Sequence, residues 1–198
     1  MIAIIDYGAG NLKSVKKAFD FLKVDSKVIS SGEEWRGFVK LVLPGVGAFG
    51  AAVEKLQNSS FADRIKDWLA ADKPFLGICL GMQMLMESSM ESEQVTGLSF
   101  FKGNCLRFKQ GKVPHIGWNQ IQIQRQSKLL RGIETNSFFY FLHGYYVQPD
   151  GENIITTTTD YGVTYASIIE KGNIFAVQFH PEKSGDVGLK LLKNWIEL

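Results

Sequence analysis

The sequence predicts an α/β protein: an open, mixed but largely parallel sheet flanked by helices, with antiparallel strands added to it. Three observations lead there. The first half alternates short β-rich runs with stretches of helical periodicity, the mark of βαβ units on a parallel sheet. The opening run Ile2-Ala3-Ile4-Ile5 is apolar throughout, as a strand covered by helices on both faces must be. From about Ser99 to Thr159 the character changes to aromatic and β-branched runs broken by Gly and Pro, which reads as antiparallel structure added to the core sheet.

In chain order, Ile2–Ile5 is the first strand. After the turn Gly8-Ala9-Gly10-Asn11, the apolar residues Leu12, Val15, Ala18, Phe19 and Leu22 recur at helical spacing. Residues 27–29 can form a second strand and 39–43 a third, which Pro44-Gly45-Val46-Gly47 stops. Helical segments follow near 51–56 and 61–70. A fourth strand, 75–78, leads into Cys79, and a helical pattern then runs through Met84, Leu85 and Met86. Later strands are expected at 137–142, 154–159, 166–169 and 174–179. A last helix, about 187–196, carries Leu189, Leu192 and Trp195 on one face. With no repeat, linker or low-complexity stretch, the whole of 1–198 reads as one domain.

The bulk numbers bound the function. A chain of 198 residues buries roughly 70% of its unfolded surface and needs no disulfide or metal to fold. Composition is that of a globular enzyme, 45% hydrophobic and 21% charged. The formal charge of +2 leaves no large field of one sign, and no Lys/Arg stripe with interleaved aromatics appears, which argues against nucleic acid as a partner. The N-terminal residues lack the basic and long apolar regions of a signal peptide, and no apolar run approaches the ~20 residues of a membrane span. The expected location is the cytoplasm, with no membrane association. Two cysteines make neither a disulfide scaffold nor a metal site.

Cys79 has the setting of a nucleophile. A strand, then Gly77-Ile78-Cys79-Leu80-Gly81, then a helical pattern is the elbow arrangement with cysteine in place of serine. Such a sharp turn needs glycine on both sides, because a Cβ there would collide with the neighbouring strand and helix. At the first turn of a helix the thiol also feels the positive end of the dipole, which favours the thiolate. Flanking glycines and strand context outweigh the alternative that Cys79 is a small core hydrophobe. Cys105 has no comparable setting and reads as structural.

A thiolate attacking an amide needs a general base and a group that fixes the tautomer of that base. Of three histidines, His180 follows the apolar run Ile174–Phe179 and so sits at a strand end, where α/β sheets bind ligands. Glu182 lies two residues on, with Pro181 stiffening the link. Taken alone, His-Pro-Glu reads first as a solvated turn, and the 101 positions between Cys79 and His180 leave their contact open. His115 and His143 are weaker candidates, structural or pocket-lining.

Together, Gly-Ile-Cys-Leu-Gly-Met-Gln at 77–83 and Val-Gln-Phe-His-Pro-Glu-Lys-Ser at 177–184 resemble the class I glutamine amidotransferases, whose fold is flavodoxin-like. Four further segments, Asp6-Tyr7-Gly8-Ala9-Gly10-Asn11, Leu43-Pro44-Gly45-Val46-Gly47-Ala48-Phe49, Val113-Pro114-His115-Ile116-Gly117-Trp118-Asn119 and His143-Gly144-Tyr145-Tyr146, look like those of the glutaminase subunits of imidazole glycerol phosphate synthase. The resemblance spans essentially the whole chain. It implies a heterodimer with a (β/α)8-barrel cyclase subunit that receives ammonia from L-glutamine and makes imidazole glycerol phosphate and a carboxamide ribonucleotide in histidine biosynthesis. It implies no metal and no organic cofactor.

The same resemblance assigns roles. Cys79 would attack the carboxamide and form a thioester, His180 would give a proton to departing ammonia, and Glu182 would steady His180. Backbone N–H groups of Leu80 and Val46 would hold the oxyanion. The glycines around Val46 would let that peptide flip, a means by which a partner could switch the activity, since one oxyanion donor is worth about 10²- to 10³-fold in rate. Gly47, Gln83 and the His143, Gly144 and Tyr145 backbone match substrate-holding positions, and Asn11, Trp118 and Lys183 match positions facing the cyclase. For Trp118 an ordinary core role competes. The family commonly has serine where this chain has Gly144, a mild change if main-chain groups hold the substrate, but also a possible mark of a paralogue. Three rival functions stay open: a glutaminase serving another synthase, such as a surface-sugar amidotransferase; a non-catalytic regulatory subunit; and a cysteine peptidase of similar fold.

Overall fold

A computed structural model describes all of residues 1–198. In chain order the elements are β1 (Ile2–Ile5), α1 (Leu12–Phe21), β2 (Ser26–Ile29), β3 (Lys40–Gly45), α2 (Phe49–Gln57), α3 (Ala62–Ala70), β4 (Phe75–Cys79) and α4 (Leu80–Gln83). There follow β5 (Ser88–Ser89), β6 (Gly103–Arg107), β7 (His115–Gln120), β8 (Gln122–Ile123), β9 (Phe138–His143), β10 (Tyr145–Pro149), β11 (Ile155–Asp160), β12 (Thr164–Lys171), β13 (Ile174–Val177) and α5 (Gly185–Ile196).

The main sheet has eight strands in the order β2-β1-β3-β4-β13-β12-β11-β8. Its first five strands are parallel, and β12, β11 and β8 extend it in antiparallel fashion. Alternation along the strands divides the core into two layers. Ala3, Ile5, Leu41 and Leu43 point to one face, where Val53, Leu56, Ile65 and Trp68 of α2 and α3 cover them. Ile2, Ile4, Val42 and Ile78 point to the other, against Val15 and Phe19 of α1 and Leu191, Leu192 and Trp195 of α5. Helices on both faces are why β1 is buried at every position.

Four expectations need amendment. The helix after Cys79 is one turn: beyond Gln83 the carbonyls of Met84 and Leu85 accept from the N–H groups of Leu98, Phe100 and Phe101, and Glu87 N–H donates to the Gly103 carbonyl, so tertiary pairing overrides helical periodicity. The third strand continues through Pro44 to Gly45. There β1 has stopped pairing at Val42 and β3 has only β4 beside it, so the N–H that proline lacks costs no central ladder bond. The aromatic region does not all join the main sheet: β6 and β10 form a small sheet with β5, and β7 pairs with β9 as a two-stranded ribbon. On α5 the buried residues are Gly188, Leu191, Leu192, Asn194 and Trp195, and Leu189 is only partly covered.

Candidate active site

The turn from β4 into α4 is held by two close approaches. A Cβ on Gly81 would stand 1.9 Å from the Leu43 carbonyl oxygen on β3, and one on Gly77 would stand 2.9 Å from the Gly81 oxygen. Between them Cys79 takes φ 54° and ψ −108°, a conformation that L-residues enter only when the surroundings enforce it. Its sulfur lies at the carboxyl ends of the parallel strands.

β13 pairs with β4 in parallel, Val177 opposite Ile78. The chain then continues from each into the same end of the sheet, bringing Cys79 and His180 together across 101 positions. His180 Nδ1 and Glu182 Oε1 are 2.8 Å apart with both side chains buried. The turn between them is a single 3-10 turn, Pro181–Lys183, clamped by β9: His180 N donates to Tyr140 O at 2.9 Å, and Ser184 Oγ accepts from Tyr140 N and donates to His180 O.

Burial alone would keep this imidazole neutral. The negative charge of Cys79 and a hydrogen bond to its sulfur, then the Glu182 carboxylate, overcome it and push the His180 pKa up to about 10. His180 Nε2 has no other partner, and the Cys79 sulfur acts on the imidazole through both charge and hydrogen bonding.

Beside the sulfur opens a cavity of about 320 Å³ lined by Gly47, Cys79, Leu80, Gln83, Glu91, Arg107, Val113, Pro114 and the 142–145 segment. That is the small end of the roughly 300–1,000 Å³ range of small-molecule sites. A larger, open hollow of about 770 Å³ around Lys128, Arg131 and Asn194 lies away from the chemistry. No trio of His, Cys, Asp or Glu side chains is arranged to hold a metal ion.

The expected pocket residues Gly47, Gln83, His143, Gly144 and Tyr145 line this cavity with Leu80. Val46 does not line it. Val46 is 37% exposed on the turn after β3, and neither its N–H nor that of Gly47 donates to a protein acceptor. Gly47 has φ +105° with open space where a Cβ would be.

His143 and His115 belong to a hydrogen-bond chain whose direction follows from its ends. Asn119 Nδ2 must be a donor, since it bonds the Asp160 carbonyl at 2.8 Å, so His115 Nε2 accepts from it. His115 Nδ1 then donates to Tyr165 Oη, and that hydroxyl donates to His143 Nε2 at 3.2 Å. Finally His143 Nδ1 donates to the Tyr145 carbonyl at 2.8 Å. Both rings are neutral in this scheme, and burial accordingly lowers His115 to about 4 and His143 to about 3.

The family model described as Glutamine amidotransferase class-I matches residues 3–198. The chain belongs to the class-I glutamine amidotransferases. A Methanocaldococcus jannaschii protein, imidazole glycerol phosphate synthase subunit HisH, is 48% identical over 200 residues, the full length of both chains. The subunit of the same name from Caldanaerobacter subterraneus subsp. tengcongensis is 46% identical over 199 residues, covering 100% of this chain and 98% of that one. Among solved structures, PurLQS from Thermotoga maritima matches with a TM-score of 0.79 and 16% identity, over 99% of this chain and 97% of that one. That likeness is one of fold.

In this amidotransferase two pocket residues escaped the sequence reading. Glu91 carries a carboxylate at the cavity wall and accepts from Phe49 N at 2.6 Å, and Arg107 brings a guanidinium to the same cavity from β6. Both sit in segments without a motif, and only the fold gathers them.

The three residues expected to face a partner lie at one side of this site. Trp118 is 55% exposed, next to exposed Ile116 and Phe138, which removes the alternative of a core role. Its ring meets Tyr140 edge-on, and Lys183 lies over the other ring of that pair, Tyr140. Asn11 precedes α1, which packs beside the Pro181–Lys183 turn.

Proposed function

We propose that this chain is the glutaminase subunit of an imidazole glycerol phosphate synthase, a single amidotransferase domain that hydrolyses L-glutamine to glutamate and ammonia and passes the ammonia to a (β/α)8-barrel cyclase subunit. The reading rests on full-length identity of 46–48% to subunits that carry that name. The site geometry supports the chemistry. Cys79 is the nucleophile: its thiolate sulfur, whose proton His180 already holds, bonds to the glutamine carboxamide carbon. The C–N bond then breaks as His180 returns that proton to nitrogen, and ammonia leaves a γ-glutamyl thioester. Water attacks the thioester with His180 taking its proton, which releases glutamate and restores the thiolate and the imidazolium. Glu182 keeps Nδ1 as the donor and steadies the imidazolium.

Leu80 N–H beside the sulfur is one oxyanion donor. Val46 N–H becomes the second when the Pro44–Gly47 turn rotates, a motion that Gly47 permits. Glu91 receives the ammonium of the substrate and Arg107 its carboxylate, while Gln83 and the His143–Tyr145 backbone hold the rest. Asn11, Trp118 and Lys183 belong to the docking face, where an exposed aromatic cluster one residue from the His180 clamp can report partner binding to the triad. No helix is long and apolar enough to cross a membrane; the location proposed, from the biosynthetic role of the relatives, is the cytoplasm.

The deciding measurement is glutamine-dependent formation of imidazole glycerol phosphate by this chain with a barrel cyclase, beside glutaminase activity with and without that cyclase. A large rise in glutaminase activity on complex formation is expected. Robust hydrolysis with no such product would move the chain to another synthase.

A further inference from the structure

Gln178 is fully buried, a polar residue closing the apolar run of β13 two positions before His180. A buried carboxamide must find partners for both ends. Its Oε1 accepts from Gln83 Nε2 at 3.2 Å, and its Nε2 donates to Cys79 Sγ at 3.7 Å.

The direction of this relay is fixed from its far end. Gln83 Nε2 also faces the Tyr145 carbonyl at 2.8 Å, and a carbonyl only accepts. The nitrogen of Gln83 must therefore stand there, its second hydrogen goes to Gln178 oxygen, and Gln178 has only its NH₂ to turn toward the sulfur. Turning the Gln83 amide over would set its oxygen against the Tyr145 oxygen, whose other lone pair is taken by His143. Besides His180, the sulfur meets the Leu142 carbonyl, also at 3.7 Å, an acceptor that favours the thiol. Gln178 supplies the opposing donor. Gln83 Oε1, at the cavity wall, bonds no protein group and can take a substrate N–H without disturbing the relay.

We propose that Gln178 is a positioning residue of the glutaminase reaction: locked through Gln83 and Tyr145, its carboxamide presents a hydrogen-bond donor to the Cys79 sulfur and stabilises it as thiolate. The inference rests on Cys79 being the nucleophile.

The test uses the full chain in complex with its cyclase, comparing Gln178→Met, Gln178→Glu and Cys79→Ala, with iodoacetamide alkylation across pH and kcat and KM for glutamine as readouts. Gln178→Met keeps the bulk and removes the donor, so alkylation at neutral pH should slow roughly tenfold, about the value of one hydrogen bond to a charged group, and kcat should fall more than KM rises. Gln178→Glu can still accept from Gln83 but turns an anion on the sulfur. It should be slower than the Met variant at neutral pH and approach it as the medium is acidified. Wild-type alkylation and turnover in Gln178→Met, or identical pH profiles for the two variants, would overturn the relay. Persisting turnover in Cys79→Ala would instead overturn Cys79 as the nucleophile, and absence of glutamine turnover by the wild-type complex would overturn the glutaminase reading. Should neither Gln178 variant melt cooperatively, Gln83→Met cuts the same relay from its other end; slowed alkylation there supports it and wild-type alkylation overturns it.

Discussion

Val177 on β13 lies opposite Ile78 on β4 in a parallel ladder, and this one register brings the two halves of the chemistry together. Parallel neighbours end at the same edge of a sheet, so the residues that follow them, Cys79 and His180, meet there. Changing Cys79 to alanine should lower glutamine-dependent turnover by about 10⁴-fold or more, while ammonia-dependent synthesis by the complex survives. Equal loss of both would mark a scaffold role for the chain.

Two glycines in the site should respond oppositely to a side chain. Gly81 has the Leu43 carbonyl 1.9 Å from its missing Cβ, so Gly81→Ala must push β3 from α4 at a cost of about 3 kcal/mol or more, an overpacking penalty against backbone that cannot rotate away. Gly144 has only Val113 Cγ1 at 3.6 Å, an ordinary contact. Gly144→Ser should therefore keep its stability within about 0.5 kcal/mol, and urea unfolding of both variants checks the contrast.

His180 is held protonated by the Cys79 charge and by Glu182 despite burial, its pKa raised to about 10. A raised folded value means that this group adds stability below its unfolded pKa near 6.5, and that the contribution disappears as pH climbs from there through 10. Glu182→Gln removes one source of the shift, so the His180 ring proton should titrate at lower pH by NMR. An unmoved titration would exclude the ion pair as a cause.

His115 and His143 carry the reverse sign. Their pKa values, lowered by burial to about 4 and about 3, keep them neutral in the fold, whereas the unfolded chain binds protons at both near 6.5. Stability should fall as pH drops from 6.5 through 4, each ring contributing a slope of up to about 1.4 kcal/mol per pH unit. Tyr165→Phe removes the hydroxyl between them and should lower the melting temperature even at neutral pH, since His143 Nε2 is then buried without a donor.

Trp118 stands free on the face beside Tyr140 and Lys183. Truncating it to alanine should leave the melting temperature of the isolated chain almost unchanged and weaken cyclase binding by about 1–3 kcal/mol, as expected of an aromatic anchor at an interface. Calorimetric titration distinguishes this from a folding defect.

The sequence by itself determined the sheet-and-helix layering and marked Cys79 as the candidate nucleophile. Ile2–Ile5 is apolar at every position because both faces are covered, and the glycines at 77 and 81 announce a turn with no room for side chains. Such signals are local: periodicity and steric need are written in neighbouring residues. His-Pro-Glu was legible as a candidate, but its contact with Cys79 waited on the pairing of β13 with β4, which adjacency in sequence cannot express. Glu91, Arg107 and Gln178 join the site only through long-range packing, although a lone glutamine at the end of a buried apolar strand was a polar group in want of partners. Tertiary structure also cut α4 to one turn, because the residues after Gln83 bond to the 98–103 segment, and set Trp118 in solvent, because β7 pairs with β9 in a ribbon apart from the main sheet. What depends on nearest neighbours was fixed by composition and spacing; what depends on which distant backbone supplies the hydrogen bonds was decided by the fold.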